Sequence, residues 1–176
     1  GDYAASGGYY ISCAADTIIA QPNTITGSIG IFGMFPNPHK LINDKLKLNV
    51  ETVKTNKHAD FGSMNRPFNA DERAIMQRYI NQGYATFVKR CADGRSMSTS
   101  AIEAVAQGRV WTGEMAKDLG LVDVLSDIET AKEIAAQKAG IDSYTLLTYP
   151  EEQGVFAMFL DQTKESYITA RMGKVM

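Results

Sequence analysis

Ser6 is the residue whose surroundings most directly suggest chemistry. It lies between two alanines and two glycines, and an apolar run follows that predicts a short helix over residues 6–15. If Ser6 attacks a carbonyl, the amide of Gly7 is placed to donate to the resulting oxyanion. Gly7 and Gly8 also leave room for an extended substrate. The structural alternative is an ordinary N-cap, whose hydroxyl accepts a hydrogen bond from the first helical turn.

A serine nucleophile needs a general base, and one long predicted loop over residues 54–68 offers two kinds. His58 lies in it, with Asp60 two positions later. Lys54 and Lys57 lie there too, and a lysine serves as base where burial or a neighbouring cation keeps it neutral. Ser28, at the edge of a glycine-spaced strand, is placed to orient such an amine. The residues alone leave these alternatives open beside ordinary solvated side chains.

Other chemistries find less support in the sequence. Gly27, Gly30 and Gly33 are evenly spaced, but no helix opens after them as a dinucleotide-binding motif requires. No cluster has metal-ligand spacing, so we expect neither a metal nor another cofactor. The net charge of −2 gives no basic surface for nucleic acid. Cys13 and Cys91 are expected to be buried free thiols.

The length of 176 residues suits one ordinary soluble domain, with 44% hydrophobic and 22% charged residues. No apolar run approaches the roughly 20 residues that span a bilayer. The chain has no initiator methionine and opens inside what resembles an element boundary. We therefore expect a fragment of a longer protein.

Helical and strand patterns alternate along the chain, which predicts an α/β fold with a largely parallel sheet. Predicted strands cover residues 17–20, 26–33, 48–53 and 143–149, with a short one after the helix stop at 119–123. Predicted helices, apart from the first, cover residues 36–45, 69–94, 100–108, a segment after 113, 127–138 and 155–171. Asn69 with Glu72, and Ser100 with Glu103, are expected capping boxes. The final segment, about residues 150–176, is expected to be a peripheral helix that packs on a neighbouring subunit or on its own domain.

Several segments together resemble the signal peptide peptidase A (protease IV) family of serine peptidases, family S49. They occur in family-like order and are Asp2–Ser12, Pro22–Gly33, Glu51–Thr55, Gln107–Gly113 and Ala116–Asp123. The resemblance implies a Clp-protease/crotonase-like fold of stacked ββα units, N-terminally incomplete here. It also implies that residues 1–176 form a single peptidase domain.

The resemblance further implies a Ser/Lys dyad. Ser6 matches the nucleophile, Gly7 the backbone N–H of the oxyanion hole, and Ser28 the hydroxyl that hydrogen-bonds the lysine. We expect an extended peptide to bind as an added strand along the glycine-rich segment. The expected substrate-binding residues are Gly8, Gly30, Ile31 and Gly33.

The sequence departs from the family pattern at the base. The position that carries the lysine in short members falls on Ala59, and Lys57 lies two residues before it. This favours the C-terminal catalytic half of a long, tandem-domain member, whose lysine comes from the absent N-terminal half. Lys57 is the expected base only if that half does not supply it. A second oxyanion donor also lies upstream in the family, so we predict little or no activity for residues 1–176 alone.

Members of the family degrade signal-peptide remnants, form homo-oligomers and are anchored by an N-terminal helix. The resemblance therefore implies a location on the extracytoplasmic face of the bacterial inner membrane, with the anchor in a segment outside this chain. Three alternatives stay open. They are a Clp-type protease with a Ser6, His58 and Asp60 triad, a non-catalytic half for oligomerisation and substrate binding, and a crotonase-type acyl-CoA enzyme.

Overall fold

The structure is a computed structural model that describes residues 1–147 and 149. The chain divides into two compact units, Gly1–Lys132 and Glu133–Met176. The single domain over residues 1–176 stays a prediction, and the expected helix over 155–171 lies outside the described residues. Within the described ranges, no helix is both long enough and apolar enough to cross a membrane.

The strands of the first unit form two small sheets. They are β1 (Tyr3–Ala5), β2 (Ile19–Ala20), β3 (Ile25–Gly27), β4 (Val110–Thr112) and β5 (Val124–Leu125). β1 pairs in parallel with β3, and β3 pairs antiparallel with β4, which gives the order β1-β3-β4. β2 and β5 form a separate parallel pair. Helices are interleaved with these strands, so the predicted α/β class is confirmed.

The described helices are α1 (Gly7–Ser12), α2 (Ala70–Arg95), α3 (Thr99–Val105), α4 (Gly113–Asp118) and α5 (Ile128–Ala139).

Two of the helix starts test the capping predictions. The box at α2 is confirmed, because the Glu72 N–H donates to Asn69 and the Asn69 N–H donates to the Glu72 carboxylate, each over 2.9 Å. The box at Ser100 is wrong. Ser98 caps α3 instead, since its extended backbone lets its hydroxyl accept from the Ala101 N–H over 3.1 Å.

Several predicted elements are shortened or absent. The strand expected over 26–33 ends at Gly27, because Ser28 adopts a φ of 50° and turns the chain out of the sheet. Residues 48–53 alternate as a strand but pair with no other strand, and Val53 is fully exposed. The helix expected over 36–45 is reduced to a π-helical turn at Leu41–Lys45 after a brief helical start, and residues 143–147 form no strand.

The core of the first unit holds α1 in place through the buried side chain of Tyr9. Tyr9 is only 1% exposed, and its hydroxyl donates to the Leu121 carbonyl over 2.9 Å. Burial raises the pKa of Tyr9, which keeps this donor protonated. Arg95 at the end of α2 pairs with Asp123, which also accepts from the Ile18 N–H over 2.7 Å. The other large core residues are Cys13, Ile29, Phe87, Val88, Cys91, Ile102 and Val122.

Candidate active site

Ser6 and Ser28 lie at the same end of the three-stranded sheet, where the parallel strands β1 and β3 finish. Each follows the last residue of a strand, and those last residues, Ala5 and Gly27, are directly paired in parallel register. Neighbouring strands are about 4.8 Å apart. The fold therefore brings together two serines that are separated in the sequence by α1, β2 and β3.

Ser6 has an unusual backbone conformation. Its φ is 53° and its ψ −114°, a combination that non-glycine residues rarely adopt and that is concentrated at functional sites. Its side chain makes no capping hydrogen bond, so the N-cap alternative is wrong. The first helical bond runs from the Tyr10 N–H to the Ser6 carbonyl over 2.9 Å. The N–H of Gly7 therefore has no acceptor among the described residues.

Ser6 sits where two cavities meet, and Gly30 and Ile31 line both of them. The Ser28 cavity has a volume of about 440 Å³ and is lined, beyond these shared residues, by Ser28, Phe32, Ile80, Asn81, Tyr84, Gln107 and Gly108. The Tyr10 cavity has a volume of about 360 Å³ and is lined, beyond the shared residues, by Gly7, Tyr10, Gly83, Thr86 and Phe87. A carbonyl at Ser6 would thus lie next to both cavities.

The expected substrate-binding residues fall into two groups. Gly30 and Ile31 line both cavities, whereas Gly8 and Gly33 line neither. A Cβ on Gly8 would lie 3.6 Å from the Cβ of Ala4, so this helical glycine faces β1. Residues 30–33 make no backbone–backbone hydrogen bond within the described part of the chain. Their N–H and carbonyl groups are therefore free to pair with another chain.

Lys57 does not lie near Ser6. Its side chain is 68% exposed and forms an ion pair with Asp71, whose hydrogen bond raises the pKa of Lys57. Lys54 is bound to Asp60 over 3.1 Å. No lysine in the described ranges lines either cavity. A raised pKa is the opposite of what a neutral general base needs.

The triad of Ser6, His58 and Asp60 is not assembled. The His58 Nδ1 lies 3.7 Å from a Glu72 carboxylate oxygen, and His58 lines neither cavity. Both oxygens of Asp60 accept from Arg66 over 2.7 Å, which holds the pKa of Asp60 well below its usual range. This part of the loop is therefore a charged network at the start of α2.

The sequence did not predict that side chains of α2 line the Ser28 cavity. Ile80, Asn81 and Tyr84 line the Ser28 cavity, and none of the three was predicted to be a site residue. One local signal was available. Gly83 lies inside the helix, where a Cβ would come within 2.7 Å of the Ile31 Cδ1, so a mid-helix glycine marks the close approach of α2 to the cavity.

The chain is similar in sequence to several known proteases. The chain is 40% identical to Protease 4 of Salmonella typhi over 161 residues, which is 92% of this chain and 26% of that protein. It is 40% identical over 141 residues to the chloroplastic serine protease SPPA of Arabidopsis thaliana, covering 80% of this chain and 21% of that protein. It is 34% identical over 154 residues to a putative signal peptide peptidase SppA of Enterococcus faecium, covering 88% of this chain and 44% of that protein.

The chain thus spans from about a fifth to less than half of these relatives' lengths. The sequence model of peptidase family S49 matches residues 1–142. That match includes both serines, both cavities and the whole three-stranded sheet. The chain belongs to peptidase family S49.

Proposed function

We propose that this chain carries the nucleophile of a serine endopeptidase that works by a Ser/Lys dyad, with Ser6 as the attacking residue. One observation carries the proposal. Ser6 is held in a strained conformation at the meeting point of two cavities, and its hydroxyl is not used for capping. Family membership supports the reaction class.

The proposed reaction combines Ser6, Gly7 and Ser28 of this chain with a lysine that lies outside the described residues. The Ser6 oxygen attacks the scissile carbonyl carbon while a neutral lysine amine accepts the hydroxyl proton. The unpaired Gly7 N–H donates to the oxyanion, and the lysine then protonates the leaving amine. Water hydrolyses the acyl-enzyme in the second half of the cycle. Ser28, at the same end of the sheet, accepts a hydrogen bond from the lysine and orients it. No metal or other cofactor takes part in this scheme.

We place the lysine outside the described residues, in a further part of the longer protein. Lys57 is paired with Asp71 and lies away from both cavities, which argues against it. The same further part would supply the second oxyanion donor. The proposed architecture is a Clp-protease/crotonase-like fold. The parallel pairing of β1 with β3 supports it, as does the position of a positive-φ serine directly after each of these strands.

The proposed substrate is an extended apolar peptide, such as a signal-peptide remnant. The unpaired backbone of residues 30–33 offers donors and acceptors for an added strand. Tyr10 and Phe87, whose rings pack edge to face with centroids 5.1 Å apart, give the Tyr10 cavity an apolar wall. The Enterococcus relative is named as a putative signal peptide peptidase. We further propose a homo-oligomer, bound to the bacterial inner membrane on its extracytoplasmic face through a segment outside this chain.

The test uses the full-length protein and its Ser6→Ala variant. We expect a fluorophosphonate probe to label the wild type covalently at Ser6, and the variant to lose both labelling and peptide cleavage. Ser96→Ala is the matched control, because Ser96 also has a positive φ, 52°, but lies at the end of α2 outside both cavities. Full cleavage by the Ser6→Ala variant would refute the proposal in favour of a non-catalytic half.

A further inference from the structure

Tyr84 has a buried hydroxyl without a hydrogen-bond partner in the described part of the chain, and it lines the Ser28 cavity. Buried polar groups in folded proteins are nearly always paired, so an orphan calls for an explanation. The other buried unpaired side-chain atoms in the described ranges are Asn43 Oδ1 and His58 Nδ1, and their residues line neither cavity. The orphan at Tyr84 therefore stands out by its place beside Ser6 and Ser28.

The lysine of the proposed mechanism has more hydrogen-bonding groups than Ser6 and Ser28 satisfy. A neutral amine has a single lone pair, which must face the Ser6 hydroxyl, and two N–H bonds. Ser28 accepts one of these N–H bonds. The other needs a second acceptor, because an unsatisfied donor in a partly apolar cavity is unfavourable.

We propose that the Tyr84 hydroxyl oxygen is this second acceptor, and that Tyr84 is a positioning residue for the lysine base. This inference rests on the proposed function. The remaining polar side chains of the cavity fit the role less well. The Asn81 side-chain oxygen already accepts from Gln77 over 2.8 Å, and Gln107 is exposed. With Ser28 and Tyr84 as acceptors, the amine has one orientation in which its lone pair meets Ser6.

The decisive variant is Tyr84→Phe in the full-length protein, with Tyr79→Phe as control. Both tyrosines are on α2, but Tyr79 is 70% exposed and lines neither cavity. We expect Tyr84→Phe to lower kcat by about ten- to a hundredfold, the value of one hydrogen bond to a charged group, with KM unchanged. We expect the melting temperature to fall by no more than a few degrees, because phenylalanine keeps the packing of the ring and the substitution removes only the one hydrogen bond to the lysine.

The pH profile distinguishes positioning from simple packing. The ammonium form donates more strongly to a hydroxyl oxygen than the neutral amine does, so the loss of the acceptor lowers the pKa of the lysine. The acid limb of the kcat/KM profile should therefore move to lower pH in Tyr84→Phe and stay in place in Tyr79→Phe.

Two results would overturn the inference. One is an unchanged kcat and profile in Tyr84→Phe. The other is a raised KM with an unshifted profile, which would assign the hydroxyl to the substrate. Failure of the proposed function itself would be recognised separately, because Ser6→Ala would then keep its activity whatever Tyr84 does.

Discussion

Ser6 and Ser28 are backbone equivalents of each other. Each follows a paired strand residue, each has a positive φ, of 53° and 50°, and each donates its N–H to the next strand segment. The Ser6 N–H donates to the Gly27 carbonyl over 2.9 Å, and the Ser28 N–H donates to the Arg109 carbonyl over 2.7 Å. The two hydroxyls are thus carried by positive-φ residues that follow neighbouring strands.

Ser28→Ala should lower kcat by about ten- to a hundredfold, since it removes one hydrogen bond to the lysine. The melting temperature should stay within a few degrees of the wild type, because the described residues give the Ser28 hydroxyl no hydrogen bond that the substitution would break. Steady-state kinetics and thermal melts measure the two effects. Ser96→Ala serves again as the positive-φ control. An unaltered kcat would mean that Ser28 does not orient the base.

Gly30→Ala should damage both stability and activity. The new Cβ would lie 2.7 Å from the Gly108 nitrogen and 2.8 Å from its Cα, and backbone atoms cannot move aside as a flexible side chain does. Overpacking of this kind costs about 1–3 kcal/mol. Chemical denaturation and peptide cleavage measure the two losses.

Gly8→Ala is the contrasting variant, because its Cβ would make an ordinary 3.6 Å contact with Ala4. Replacing a helical glycine by alanine gains about 0.5–1 kcal/mol, so the free energy of unfolding should be equal or higher. KM should not change, since Gly8 lines neither cavity. A raised KM would restore Gly8 as a substrate-binding residue.

Lys57→Ala should leave cleavage by the full-length protein within about twofold of the wild type, as expected for a surface position. The side chain is exposed and paired with Asp71, away from both cavities.

Residues 1–176 alone should show little or no turnover of a peptide substrate. Ready turnover by this segment, abolished by Lys57→Ala, would show instead that Lys57 is the base.

Glu72→Gln should weaken the fold in a pH-dependent way. The hydrogen bond from Arg66, and then that from the Asn69 N–H, lower the pKa of Glu72 to about 2 from an ordinary 4.5. The lowered pKa stabilises the folded state above about pH 4.5, and this contribution is lost as the pH falls towards 2. The variant should therefore melt below the wild type at neutral pH, and the difference should shrink in acid.

Glutamine keeps the capping-box geometry, so any change reports the lost charge. Asp93→Asn is the matched control, since the Asp93 pair with Lys89 is exposed. A difference in melting temperature that is independent of pH would argue against the ionic contribution of Arg66.

Local signals predicted those parts of the fold that depend on neighbours in sequence. Asn69 and Glu72 cap α2 as expected, because both partners lie within one helical turn. β1 and β4 were not predicted, since a three-residue strand is defined by a partner far along the chain. The alternation at residues 48–53 gave a false strand for the same reason, because the pattern does not reveal whether a partner exists.

The candidate site shows a similar division. Ser6, Gly7 and Ser28 were named from their residue types and positions, and then matched to roles by the sequence resemblance. The structure places the two serines after paired strand residues. Tyr84 was not named, because the sequence does not reveal whether the hydroxyl of a helical tyrosine meets the core, the solvent or a cavity. Only the approach of α2 to Ile31, permitted by Gly83, distinguishes these cases.

The hydrogen bond from Tyr9 to Leu121 also has a consequence for protein synthesis. The two residues are 112 positions apart, so the ribosome must add all of that chain before the support behind α1 exists. At about 5–20 residues per second, this takes on the order of ten seconds. Ser6 therefore leaves the ribosome long before its surroundings are complete. The order of translation delays the ordering of Ser6 until the chain that holds it has been made.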